Sequence, residues 1–256
     1  MPCRIMAWNI RHGGGSRVAD VLEVIDHHRP DLLVLMEFRH NTVAPQLSSG
    51  LLAQGLTFQA APNGPPQELS VLLASRLPCT PATLEHELPA WPFRAIRGRF
   101  DRFTFFGFYI PTGERKRPVL HFMRDLAAEY LNQSTLLIGD FNTGLPYKDE
   151  RGSELTCSAE FREVLEAGWI DLYRVRNPES RERSFYERPW LGYRIDHALG
   201  SPSFDQCVRQ IFYSHDERYA GISDHSSLHL ILASSRGRDA NKPDASIRRA
   251  TDGTVS

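Results

Sequence analysis

The chain has 256 residues, a formal net charge of −1 and 41% hydrophobic residues. Those values argue against a disordered or membrane-embedded chain and give no global pull toward nucleic acid. Cys3, Cys79, Cys157 and Cys207 are scattered with no CxxC pair, which argues against a cysteine zinc site or a disulfide framework and fits a reducing compartment.

In chain order, residues 4–10 read as a strand ending at Asn9, before the turn-forming run Gly13-Gly14-Gly15. Ser16 is placed to cap a helix in which Val18, Val21, Leu22 and Ile25 recur at helical spacing, stopping near Pro30. Residues 32–36 are a continuous apolar run of strand length, suited to a strand covered on both faces, with Glu37 just beyond it. Residues 69–73, 95–100 and 103–110 read as further strands, the last ending in Tyr109-Ile110-Pro111. A helix is expected over residues 119–131, because Leu120, Met123, Leu126, Ala127 and Tyr130 share a face. A buried strand over 135–138 stops at Gly139-Asp140, and residues 159–167 read as a helix ended by Gly168. Strands over 194–199 and 228–233 close the pattern, which is expected to be a single domain over 1–233. The Ser-, Arg-, Asp- and Gly-rich residues 234–256 carry too little apolar surface to order themselves and are expected to be a mobile tail.

The chemistry-bearing residues share one placement. Asn9, Glu37, Tyr109, Asp140, Asn142, Asp196, Asp224 and His225 each follow an apolar strand-like run. Strand ends along one sheet edge can converge on a pocket, and carboxylates with amides nearby suit a hard cation that prefers oxygen ligands. Taken singly, each has a plainer reading: Asp140 and Asn142 as a polar turn, Glu37 as a solvated charge, His225 as a structural histidine. Ser223-Asp224-His225 does not read as part of a nucleophilic triad, since no Gly-x-Ser-x-Gly elbow accompanies it. Gly13-Gly14-Gly15 lacks the Gly-Lys-Ser/Thr ending of a phosphate loop. The remaining histidines, including His27-His28, read as solvated, and the cysteines as small core residues.

Six motifs occur in order: Trp8-Asn9-Ile10, Leu35-Met36-Glu37, Phe108-Tyr109-Ile110-Pro111, Gly139-Asp140-Phe141-Asn142, Arg194-Ile195-Asp196-His197 and Ser223-Asp224-His225. Together they resemble the endonuclease/exonuclease/phosphatase superfamily, across residues 4 to about 232. The resemblance implies a four-layered α/β sandwich of two mostly antiparallel sheets flanked by helices, with the catalytic residues at one edge of both sheets. It implies a phosphodiester hydrolase using Mg²⁺ or Mn²⁺, with Glu37 as the principal metal ligand and Asp224 near the same ion. Asn9 would orient the metal cluster or Asp140 by hydrogen bonding. Asp140 would position or deprotonate the attacking water, in preference to His225 as the base. Asn142 would hold a phosphate oxygen, and Tyr109 would contact the phosphate or leaving oxygen. His225 would meet the phosphorus-bound oxygens, its imidazole held in one tautomer by Asp196. Two departures weigh against an abasic-site specialist: Arg11 stands where some relatives have a second acid, and Met36-Glu37-Phe38-Arg39 replaces Gln-Glu-Thr-Lys.

For substrate, Arg115-Lys116-Arg117 lies just beyond Tyr109, and residues 184–194 interleave Phe185, Tyr186, Trp190 and Tyr193 with Arg188 and Arg194. Aromatics stack on bases while arginines contact phosphates, so Arg115, Lys116, Trp190 and Arg194 are the expected substrate contacts. The expectation is a nuclease, with DNA the favoured substrate and repair one setting for it. Alternatives are an enzyme on a small or lipid phosphoester, sphingomyelinase-like or phosphatase-like, and an inactive binding module on the same fold. The intact acids and histidine weigh against the last. Residues 1–10 lack a secretory signal's apolar run and no window nears the roughly 18 to 20 apolar residues of a bilayer span, so a cytoplasmic monomer without membrane insertion is expected.

Overall fold

The structure is a computed structural model in which residues 2–233 are described. The tail expected over 234–256 lies outside the described residues. The chain opens with β1 Cys3–Asn9, α1 Val18–His28, β2 Leu32–Phe38, α2 Ala44–Ala53, β3 Phe58–Ala60 and β4 Ser70–Ser75. It continues through β5 Thr80–Thr83, β6 Ala95–Arg99, β7 Thr104–Tyr109, α3 Arg117–Asp125, α4 Ala127–Tyr130, β8 Thr135–Asp140 and α5 Ser158–Glu166. There follow β9 Ile170–Asp171, α6 Leu172–Arg176, β10 Phe185–Arg188, β11 Leu191–Tyr193 and β12 Asp196–Gly200. Last come α7 Pro202–Asp205, β13 Val208–Ser214, α8 Asp216–Tyr219 and β14 Ser227–Leu232.

Two six-stranded sheets result, in the orders β13-β14-β1-β2-β4-β3 and β5-β6-β7-β8-β12-β9. Each has one parallel pair at its centre, β1 with β2 and β7 with β8, and each of those pairs is joined through helix. The other neighbours within both sheets are antiparallel, so the expected mostly antiparallel sheets are present.

Period-2 alternation sorts the apolar residues into three layers. Ile5, Ala7, Val34, Leu73, Phe105, Ile138, Ala198 and Leu230 form the layer between the sheets. Met6, Trp8, Leu33 and Leu35 face outward onto Val21, Ile25, Leu47 and Leu51 of α1 and α2. Phe106, Phe108 and Leu137 face the opposite way onto Leu120, Met123, Phe161 and Val164 of α3 and α5. The result is helix, sheet, sheet, helix.

Several expected details differ. Ser16 does not cap α1. A 3-10 turn over Gly15–Arg17 leads into the helix instead, and no side chain caps it. The single helix expected over 119–131 starts earlier, with Pro118 in its first turn, and is divided into α3 and α4. The short strands β3, β5 and β9 were not expected, because two to four residues at a sheet margin are too few to show alternation.

Candidate active site

The site begins where the inter-sheet core stops. Asn9 continues the inward parity of Ile5 and Ala7 on β1, and Asp140 that of Leu136 and Ile138 on β8. Asp196 shares the parity of Ala198 on β12, and Tyr109 that of Phe105 on β7. At one edge of the sandwich, an apolar layer therefore gives way to a buried polar one drawn from both sheets. Asn9, Asp140, Asp196 and His225 are all buried there.

Two backbone features bring the acids to this edge. The register of β2 against β4 shifts between Met36 and Phe38, and Glu37 takes a left-handed φ of 58°. This bulge breaks the alternation, since Met36 packs between the sheets while Phe38, two positions on, packs on the helix side. On β8, a Cβ at Gly139 would lie 1.9 Å from the carbonyl oxygen of Phe108, so glycine is required for the strand to approach β7 before Asp140. Asn142 and Arg11 also sit at left-handed φ, 52° and 53°. Non-glycine residues held there cost of order 1 kcal/mol each and cluster at functional sites.

The side chains form a continuous run of contacts. Asn9 Nδ2 donates to Glu37 Oε1 at 3.1 Å and to Asp140 Oδ2 at 3.0 Å. The Tyr109 hydroxyl donates to Glu37 Oε1 at 3.2 Å, and the His12 amide donates to Glu37 Oε2 at 2.7 Å. His225 Nε2 lies 3.9 Å from Asp140 Oδ2, and its Nδ1 lies 2.8 Å from Asp196 Oδ2. The Asn142 amide N–H donates to Asp140 Oδ1 at 3.0 Å. Phe185, on β10, lays its ring 4.8 Å from the His225 ring, and Arg94 sits 4.6 Å over the ring of Tyr109.

Burial and neighbouring charge set the protonation states. Burial pushes the Asp140 carboxyl up to about 7, with Asp196 adding to the rise and His225, Asn9 and Asn142 opposing it. Burial alone would lower the His225 pKa, but the charges of Asp196 and Asp140 more than offset it and carry it up to about 10. Burial, Glu37 and Asp140 raise the Tyr109 phenol, keeping it a donor. At neutral pH the edge therefore holds a cationic imidazole beside a carboxylate poised to exchange a proton.

A model of the endonuclease/exonuclease/phosphatase family matches residues 6–225. The chain belongs to this family. It is therefore a phosphoesterase, and the sandwich is the one found in solved members of similar architecture. An AP endonuclease from Archaeoglobus fulgidus superposes with a TM-score of 0.80 at 19% identity, covering 91% of this chain and all of that one. The 3'-5' exonuclease NExo from Neisseria meningitidis gives 0.77 at 21% identity, covering 90% of this chain and all of that one. A structure of the 3' phosphatase NExo from Neisseria with a product DNA hairpin also gives 0.77 at 21% identity, covering 91% of this chain and all of that one.

Family enzymes are generally dependent on a divalent metal, and this edge fits a hard cation. Its free donors are oxygens, and Asp196 Oδ1 is buried with no hydrogen-bond partner. Asp140, Asp196 and His225 offer ligand atoms within 4.8 Å of one another, but Asp196 and His225 engage each other. Glu37 is the acid turned to the edge without a histidine of that kind, although the exposed His12 ring lies 3.3 Å from it.

The other sequence-derived residues divide. Trp190, at the turn of the β10–β11 hairpin, is 66% exposed, and Arg115 is exposed beside the ring of Trp91. Arg194, expected to meet substrate, is instead fully buried: its Nε lies 2.7 Å from Asp149, and its other end pairs with Asp171. Lys116, expected as part of an exposed basic triplet, is also buried, its amine donating to the Asn142 carbonyl. A buried, paired cation has no free face for a phosphate. Asp224 is more exposed than Asp140 and Asp196 and lies 3.6 Å from Arg11. One hydrogen of the Asn142 side-chain amide is committed to the Ile110 carbonyl at 2.8 Å.

Sequence reasoning missed the supporting residues. The Ser223 hydroxyl donates to the Asn9 carbonyl at 2.6 Å and accepts the His225 amide at 3.1 Å, clamping the loop that carries the histidine. Trp8 Nε1 donates to the His225 carbonyl at 3.2 Å. Arg94 and His12 do not stand out in the sequence: Arg94 follows an apolar stretch broken by Pro89 and Pro92, which does not read as a strand, and His12 lies in the turn before Gly13.

Proposed function

We propose that this phosphoesterase is a divalent-cation-dependent nuclease that hydrolyses phosphodiesters of nucleic acid, DNA in preference, by in-line attack of water, and that it acts as a monomer. The observation that carries the reading is the unbroken run Asp196–His225–Asp140–Asn9–Glu37–Tyr109, which joins a cation, a near-neutral base and a metal-seeking acid. Glu37 and Asp224 would hold the Mg²⁺ or Mn²⁺ ion, which when bound supplies Lewis-acid stabilisation of charge on the phosphate oxygens.

The protonation states distribute the remaining roles. Asp196 keeps His225 protonated, so His225 serves as a charge for the non-bridging oxygens and cannot take the water proton. Asp140, raised toward neutrality, accepts that proton with a driving force that suits a general base near pH 7. Asn9 holds Asp140 and Glu37 in one geometry. The Tyr109 phenol donates toward the leaving oxygen once the substrate displaces its bond to Glu37. Asn142 offers its second amide hydrogen to a phosphate oxygen.

The surroundings of His225 favour a polymeric substrate. The β10–β11 hairpin reaches it through Phe185 and carries exposed Trp190. Beside that hairpin, the Arg218 guanidinium lies 4.5 Å over Tyr186 and 4.7 Å over Tyr219, along an open groove of about 470 Å³. Stacking faces interleaved with cations suit unpaired bases and their phosphates. Among the described residues no helix is long and apolar enough to cross a membrane.

The test is a substrate panel with Mg²⁺ or Mn²⁺: abasic duplex, single-stranded DNA, RNA, sphingomyelin and bis-p-nitrophenyl phosphate. Cleavage of DNA above the others is expected. Turnover of sphingomyelin alone would overturn the nuclease reading.

A further inference from the structure

Not all of the histidines read as solvated are so: His197 and His229 are buried, and His28 is half-buried. His28, the last residue of α1, brings Nε2 to 2.6 Å from Glu217 Oε1 at the start of α8. Its ring centroid lies 4.4 Å from that of His229 on β14. His229 has the opposite parity to Leu228 and Leu230, so it faces away from the inter-sheet core and stacks on Phe212 at 5.0 Å. The three residues thus meet on the outer face of the first sheet, apart from the phosphoesterase edge. Each offers one ligand atom, and these atoms lie within 4.8 Å of one another.

Three further observations point to an ion. Glu217 is 2% exposed, and its Oε2 is buried with no hydrogen-bond partner, while Oε1 serves His28. A buried carboxylate oxygen left unpaired is costly, and a cation beside it would remove that cost. The Ser227 hydroxyl lies 2.7 Å from His229 Nε2, the kind of outer hydrogen bond that fixes the ring of a ligating imidazole. A groove of about 340 Å³ reaches two of the three residues, being lined by Asp20, Glu23, Asp216 and Glu217 with His27 and His28. Four carboxylates around one opening concentrate cations there.

We propose that His28, Glu217 and His229 bind a borderline transition-metal ion, with Zn²⁺ as the type, at a site separate from the hard-cation pocket of Glu37. Two imidazole nitrogens and a carboxylate are a zinc donor set with room for water as the fourth ligand. Mg²⁺ prefers oxygens and an octahedral shell, so it does not compete well here. The ion enters by replacing the proton shared between His28 and Glu217, and it ties together α1, α8 and β14. The Glu217 carbonyl accepts the amides of Ile222 at 2.9 Å and Ser223 at 3.3 Å, so the clamp also steadies the segment that delivers Asp224 and His225.

The experiment is a Zn²⁺ titration of the full chain carrying Glu37→Ala, in millimolar Mg²⁺, followed by calorimetry and by ¹⁵N-histidine NMR. One equivalent of Zn²⁺ should bind with a dissociation constant below about 10 μM, and saturation should raise the melting temperature by several degrees. The His28 and His229 imidazole resonances should shift together. Adding His28→Gln, which keeps a donor for Glu217, should weaken binding at least about 100-fold. Should that variant fold poorly, the NMR shifts in the Glu37→Ala protein decide. No binding at about 100 μM Zn²⁺, undiminished binding with His28→Gln, or shifts confined to other histidines would each overturn the proposal. None of these readouts depends on phosphoesterase activity.

Discussion

Asn9 donates its side-chain amide to Asp140 across 3.0 Å, and the bond joins the two sheets, since Asn9 ends β1 of one and Asp140 ends β8 of the other. The same nitrogen reaches Glu37 at 3.1 Å, so one amide sets the spacing of the two acids on which the proposed chemistry depends. Replacing it with alanine leaves the sandwich packed but lets the acids drift. Asn9→Ala should lower kcat on bis-p-nitrophenyl phosphate about 100-fold, the usual scale for losing a pre-set hydrogen bond at a reacting centre. Circular dichroism should be unchanged. A loss under threefold would show that the bridge does not position the site.

The Asp196–His225 pair makes a pH prediction. Its carboxylate raises the His225 pKa above the ordinary histidine value, so the cation is held below about 10 and lost as pH rises through that value. With Asp196→Asn the largest raising charge and its hydrogen bond are gone while the charge of Asp140 remains, so the imidazole loses its proton at a lower pH than in wild type. The variant should lose activity more severely at pH 8 than at pH 6, with an overall deficit of about 10² to 10⁴. A pH–rate profile parallel to that of wild type would contradict this.

Arg194 bears on stability instead of substrate. Although burial opposes it, the Arg194 guanidinium holds the Asp149 carboxyl down to about 2, below its ordinary 3.8. A lowered folded-state pKa contributes stability above about pH 4, lost as pH falls toward 2, and here it amounts to about 2 kcal/mol. Arg194→Met would strand Asp171 as a buried charge and leave Asp149 paired with Arg174 alone, and should cost about 3 to 5 kcal/mol, read by urea unfolding at pH 7. The difference from wild type should narrow as pH falls below 4. Equal stability at pH 7 would show that the pairs are not formed in solution.

Trp190 should separate substrate recognition from chemistry. Because it is 66% exposed at a hairpin turn, Trp190→Ala removes little packing. Loss of one stacked base should raise KM for single-stranded DNA about 10-fold, while kinetics on bis-p-nitrophenyl phosphate stay as they were. Equal effects on both substrates would make the residue part of the fold.

Much of the site was legible because its residues stand at the ends of buried strands, where an apolar run stops and a polar side chain follows. The runs before Asn9, Glu37, Tyr109 and Asp140 show this pattern, and β1, β2, β7 and β8 are the central strands of their sheets. What stayed hidden depends on contacts distant in sequence. Arg194 looks like a surface arginine among aromatics until Asp149 and Asp171 close on it, and His28 looks solvated until α8 brings Glu217 against it. The bulge at Glu37 was also invisible, since its register is set by β4 and its sequence is a plain strand end.

The most direct test of the account is the rate of phosphodiester cleavage by the Glu37→Ala protein in Mg²⁺ or Mn²⁺, beside wild type with and without EDTA. The account predicts that EDTA abolishes wild-type activity, that added Mn²⁺ restores it, and that Glu37→Ala falls at least about 10³-fold at saturating metal. Wild-type rates from Glu37→Ala, or full activity in EDTA, would contradict it.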